Sequence, residues 1–124
     1  METRKTLVWI GSSKEDLRSL PLDVRRVFGQ AIDDAEWGGE HPAAKALKGF
    51  GGRSVLEVVD DHDGDTFRAV YTVRFAGAVY VLHVFQKKSK KGIATPKHEL
   101  DLVHARLKWA EADYRERFGK GAKK

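Results

Sequence analysis

The side chains best able to do chemistry fall in two short stretches. Phe67 to Phe75 alternates, with Phe67, Ala69, Tyr71, Val73 and Phe75 on one face and Arg68, Val70, Thr72 and Arg74 on the other. A second run ends in His83-Val84-Phe85-Gln86-Lys87-Lys88-Ser89-Lys90-Lys91, where two-residue periodicity sets His83, Phe85 and Lys87 on one face. Imidazole, aromatic ring and ammonium at one strand end suit a single-stranded polynucleotide: lysine and arginine meet phosphates, and a ring or guanidinium plane stacks on a splayed base. Arg68 adds a constraint, because a guanidinium inside an apolar strand must pair with an acid or an anion. The plainer reading stands beside this one: His83 as a hydrogen-bonded, half-buried strand residue and Phe85 as core.

Charge points to the same end of the chain. The 124 residues hold 23 Lys+Arg and 18 Asp+Glu, a formal charge of +5. Residues 1–86 hold 11 basic and 13 acidic side chains, whereas residues 87–124 hold 12 and 5. Lys87 to Lys97 contains five lysines and no acid, which fits a polyanionic partner or a solvated loop. Other chemistries are excluded. With no cysteine there is no disulfide and no thiolate zinc site. The five histidines form no zinc-ligand pair, and the acidic turn Asp60–Asp65 has the wrong glycine and glutamate spacing for calcium, so no metal is expected. Lys48-Gly49-Phe50-Gly51-Gly52 lacks the spacing of a phosphate-binding loop, and no other cofactor motif occurs. No apolar run is long enough for a membrane span and no signal-peptide pattern opens the chain, so a soluble cytoplasmic protein is expected.

The elements that must position these residues follow from pattern. Thr6–Ile10 predicts a strand stopped by Gly11. Ser12 then predicts an N-cap for a short helix from Ser13 to Leu20. Pro21 opens a second helix, with Leu22, Val24, Val27, Phe28, Ala31, Ile32 and Ala35 as its stripe and Gly38-Gly39 as its end. Glu40–Gly52 reads as a loop anchored by Leu47 and Phe50. Three strands come next: Ser54–Asp60, Phe67–Phe75 and Ala78–Gln86, the first two joined through an Asp-Gly turn. Thr95-Pro96 with Glu99 predicts the cap of a last helix, seamed by Leu100, Val103, Leu107 and Ala110 and reaching about Phe118. The fold class is α+β in one domain over residues 1–124: an N-terminal strand, a helical hairpin, a three-stranded antiparallel meander completing a four-stranded sheet, and a C-terminal helix. Residues 119–124 read as a frayed tail.

On these residues the chain resembles the RelE/ParE superfamily of type II toxins, in its phage-derived, HigB-like branch. The resemblance runs along nearly the whole chain. It is carried by the order and spacing of Leu47-Lys48-Gly49-Phe50, Val55-Leu56-Glu57-Val58, Phe67-Arg68-Ala69-Val70-Tyr71 and Leu82-His83-Val84-Phe85-Gln86-Lys87-Lys88-Ser89 before Thr95-Pro96. It implies a RelE-like fold and a metal-independent endoribonuclease that cuts mRNA, usually in the ribosomal A site. It further implies a cognate antitoxin, usually of helix-turn-helix type. Arg68 matches the family's phosphate-binding arginine, and Lys88 its basic residue after the last strand, with Lys87 beside it. Lys87, Lys90 or His83 would supply acid or base, with Glu57 a second candidate base, and Arg74, Lys90, Lys91, Phe85 and Lys48 would grip RNA. The chain departs from RelE at Leu56-Glu57-Val58, which offers no cation, and at Ile93-Ala94-Thr95, where a tyrosine is expected. A ParE-like gyrase poison and a non-toxic nucleic-acid-binding protein are the alternatives.

Overall fold

A computed structural model describes residues 3–87 and 95–119. Lys88, Lys90 and Lys91, and the tail beyond Gly119, lie outside the described residues. Thr6–Trp9 (β1) ends before Gly11, whose φ of +58° turns the chain. Ser13–Arg18 forms α1, two residues shorter than expected. Ser12 makes no side-chain cap, because its hydroxyl donates to Asp16 Oδ2 at 2.7 Å. Leu22–Glu36 forms α2 after Pro21, with Val24, Phe28, Ala31, Ile32 and Ala35 buried as one stripe. Leu22, expected on that stripe, is exposed.

The expected loop contains a further strand, Ala44–Ala46 (β2), paired antiparallel with Val55–His62 (β3). Three residues among Gly, Ala and Lys carry no readable alternation, and only the pairing partner fixes them as a strand. Asp65–Thr72 (β4) joins β3 through Asp63-Gly64, both at positive φ, in a two-residue hairpin. Ala78–Lys87 (β5) then runs antiparallel to β4 and parallel to β1. The sheet therefore has five strands in the order β1-β5-β4-β3-β2, not four.

Lys97–Phe118 (α3) follows Pro96. Helices cover both faces. On one face α2 packs with Leu56, Val58, Phe67, Ala69, Tyr71, Val79, Val81 and Val84. On the other α3 packs with Val8, Ile10, Val55, Val70, Tyr80, Leu82 and Phe85. β5 is buried on both sides, as its apolar run predicts.

One irregularity sets the site. In the β4–β5 ladder Tyr71 faces Val81 and Val70 faces His83, so Leu82 has no partner. This bulge shifts the alternation by one residue. Tyr80 and Leu82 point to the α3 side, and after the bulge so does Phe85. A regular strand would carry Phe85 and its row to the α2 side.

Candidate active site

Arg68 faces Phe85 across the ladder from β5 and Val59 across that from β3, so it stands on the α3 side in the middle of the sheet. It is 4 % exposed. Its Nη1 donates to Glu57 Oε2 at 2.7 Å and to Thr95 Oγ1 at 3.1 Å. Thr95 Oγ1 in turn donates to the same Glu57 oxygen at 2.8 Å. The acid that the strand arginine requires is thus Glu57, two residues along β3 from the position opposite Arg68. Lys87 is buried in the same region. Burial lowers its pKa and the Arg68 guanidinium lowers it further, with Glu57 pulling the other way.

Two residues along β5 from Phe85, His83 makes a second cluster. Its Nε2 lies 2.6 Å from Glu99 Oε1, its Nδ1 lies 3.5 Å from Arg106 Nη1, and its ring stacks on Phe85 at 4.5 Å. Arginine only donates, so Nδ1 carries the lone pair and the Nε2 proton is donated to Glu99. Burial lowers the His83 pKa, and Glu99 opposes that shift while Arg106 adds to it. Arg106 also donates to Leu82 O at 3.0 Å and to Ser12 Oγ at 3.3 Å. A groove of about 520 Å³ opens at this end of the sheet, lined by Asp16, Asp65, Phe67, His83, Gln86 and Glu99 among others.

The expected row of His83, Phe85 and Lys87 is present, with Arg68 beside it. Phe85 is core, 9 % exposed, as in the plainer reading. Arg74 is not brought to the cluster: it lies six residues beyond Arg68, roughly 20 Å along the chain, and binds Glu111 at 3.2 Å. Lys48 is exposed on the turn after β2 and makes no ion pair among the described residues. Thr95 and Glu99 are the residues missed. Their spacing reads as a helix cap, yet neither caps α3; both side chains turn to the sheet. Among the described residues, no group of three His, Asp or Glu side chains is placed to hold a metal ion, and no helix is long and apolar enough to cross a membrane.

The arrangement can neutralise and polarise an anion. Two buried cations adjoin a carboxylate, and the carboxylate is positioned to accept a proton once Arg68 turns to another partner.

No curated protein matches the chain. Among solved structures, a chain of the toxin-antitoxin complex RelBE2 from Mycobacterium tuberculosis is 17% identical with a TM-score of 0.39, over 72% of this chain and 100% of that one. Residues 15–108 match the family described as phage derived protein Gp49-like (DUF891). That match spans most of the chain, including Glu57, Arg68, His83, Lys87, Thr95, Glu99 and Arg106, and on it the chain belongs to the phage-derived Gp49-like family.

Proposed function

We propose that this protein is a toxin that cleaves mRNA without a metal and is held inactive by a cognate antitoxin. The observation that supports this reading most directly is the convergence of Arg68, Lys87, Glu57 and Thr95 on one face of the sheet. In this reading a phosphate of the message takes the place of Glu57 and Thr95 on Arg68, and Lys87 binds the same phosphoryl group. Glu57, released from Arg68, removes the proton from a ribose 2′-hydroxyl. The 2′-oxygen attacks the adjacent phosphorus in line, the bond to the 5′-oxygen breaks, and Lys87 delivers a proton to that oxygen. The products are a 2′,3′-cyclic phosphate and a 5′-hydroxyl. The lowered pKa of Lys87 suits it to give up the proton.

The test is inducible expression in bacteria, with and without the neighbouring small reading frame, followed by primer extension on a message that is translated or blocked from translation. The wild-type chain arrests growth and leaves discrete cuts. Arg68→Ala, which loses the phosphate contact, removes both even where it accumulates as folded protein. Growth arrest with DNA breaks and an SOS response but intact RNA would replace the ribonuclease reading with a gyrase poison.

A further inference from the structure

α3 is apolar on two opposite faces. Val103, Leu107, Ala110 and Tyr114 form the seam buried against the sheet. On the far side Leu102, Ala105, Trp109 and Ala112 follow one another at spacings of three, four and three, which is the repeat of a second helix-packing seam. Ala105, Trp109 and Ala112 are exposed, and the Trp109 indole is 55% exposed, more than any other large apolar side chain among the described residues. A cavity of about 510 Å³ opens beside it, lined by Trp109, Ala112, Asp113, Arg115 and Glu116. An indole left open next to a cavity is the kind of anchor that carries protein interfaces.

Charge selects the occupant. Helical geometry places Lys97, Lys108 and Arg115 along one flank of this stripe. Of the acids beside them, Asp101 is bound by Lys97 at 3.0 Å and Glu111 by Arg74 at 3.2 Å, so Lys108 and Arg115 make no ion pair among the described residues, while Glu116 continues the stripe beyond Ala112 as its one acid. The opposite flank is balanced, with Arg117 on Asp113 at 2.6 Å. We infer that the outer face of α3 is a docking site for an acidic amphipathic helix of a partner protein. Its apolar side chains cover Trp109 and Ala112, and its carboxylates meet Lys108 and Arg115. A second copy of this chain fits poorly, because antiparallel packing of two such faces sets the two basic flanks side by side. The inference rests on the toxin reading only in taking the antitoxin as the natural source of that helix.

The test uses the full chain and a synthetic 21-residue helical peptide with leucine at heptad positions a and d and glutamate at e and g. A lysine counterpart is the control. By calorimetry the glutamate peptide binds at least tenfold more tightly than the lysine peptide, Trp109→Ala loses at least tenfold, and the Lys108→Glu/Arg115→Glu double variant inverts the preference. Circular dichroism and thermal melting confirm that each variant is folded, as expected for exposed positions. Equal binding of the two peptides, or binding unchanged by Trp109→Ala, overturns the inference. So does sedimentation showing a dimer that Trp109→Ala dissociates, or an RNA affinity that falls with these variants in place of peptide binding. If the neighbouring gene product neutralises wild type and Trp109→Ala equally, this surface is overturned while the toxin reading stands. If the chain is not toxic, that reading falls and the peptide measurement still decides the surface.

Discussion

Arg68 and Glu57 are both buried and ionised against one another, which makes each costly to remove alone. Taking two charges out of water is offset only by their mutual attraction and by added hydrogen bonds, here from Thr95. Deleting one partner strands the other in the interior, at about 3–5 kcal/mol, whereas replacing both with neutral groups of similar shape costs far less. We therefore expect Glu57→Gln and Arg68→Met to destabilise strongly as single changes, and the double variant to be more stable than the sum of the two losses predicts. Urea unfolding of the four proteins measures this, and strictly additive losses would show that the pair is not coupled. The same energetics bear on the site. A phosphate that captures Arg68 must compensate for the lost Glu57 contact, and the freed carboxylate is then close by. The need for an acid partner is legible from a strand arginine alone, but its identity is not, because Glu57 lies eleven residues away across a hairpin.

Among the elements, α3 is distinctive for being tied to the sheet by polar bonds along its whole length. Glu99 holds His83, Arg106 holds the Leu82 carbonyl, Asp113 accepts from Tyr80 at 2.7 Å, and Tyr114 donates at 2.7 Å to the Ala76 carbonyl in the turn between β4 and β5. Arg106 is the junction, since it also reaches Ser12 in the turn between β1 and α1. Gly11 makes room for it. A Cβ built there would lie 2.9 Å from Arg106 Cζ, and the backbone sits at a φ of +58°. Gly11→Ala therefore strains the left-handed backbone and displaces the guanidinium from the bulge. The expected loss is about 1–2 kcal/mol from the backbone alone, read as a lowered urea midpoint. A variant as stable as wild type would show that Arg106 relocates freely. The caps predicted for α3 explain why its tethers escaped the sequence reading. Threonine and glutamate near a helix start satisfy the capping rule, and nothing local reveals that their oxygens reach another strand.

For the whole molecule, His83 links stability to pH. Its pKa in the folded chain lies below the ordinary histidine value, because the ring is buried and faces Arg106. The unfolded chain therefore takes up the proton first. Stability is fully present above the unfolded pKa of about 6.5 and is lost as pH falls from there through the folded value. Unfolding free energy measured from pH 8 to pH 5 should decline below about 6.5, with a smaller slope in His83→Gln. An unchanged slope would place the titration elsewhere. Much of the architecture is legible in the chain itself: β4 from its alternation, β5 from its apolar run, α2 and α3 from their stripes, and the basic excess after residue 86 from simple counting. Local pattern suffices there because a helix records its buried face in its period and β5 records burial on both faces in its unbroken apolar run. The shared row of His83, Phe85 and Lys87 is likewise readable, since it needs only alternation within one strand. What tertiary structure alone decides is which side of the sheet that row faces. The bulge at Leu82 depends on pairing with β4, and it turns the row toward α3, where Thr95 and Glu99 wait. Pairing between distant strands leaves no periodic trace, so neither β2 nor the clusters assembled on Arg68 and His83 could be read from sequence alone.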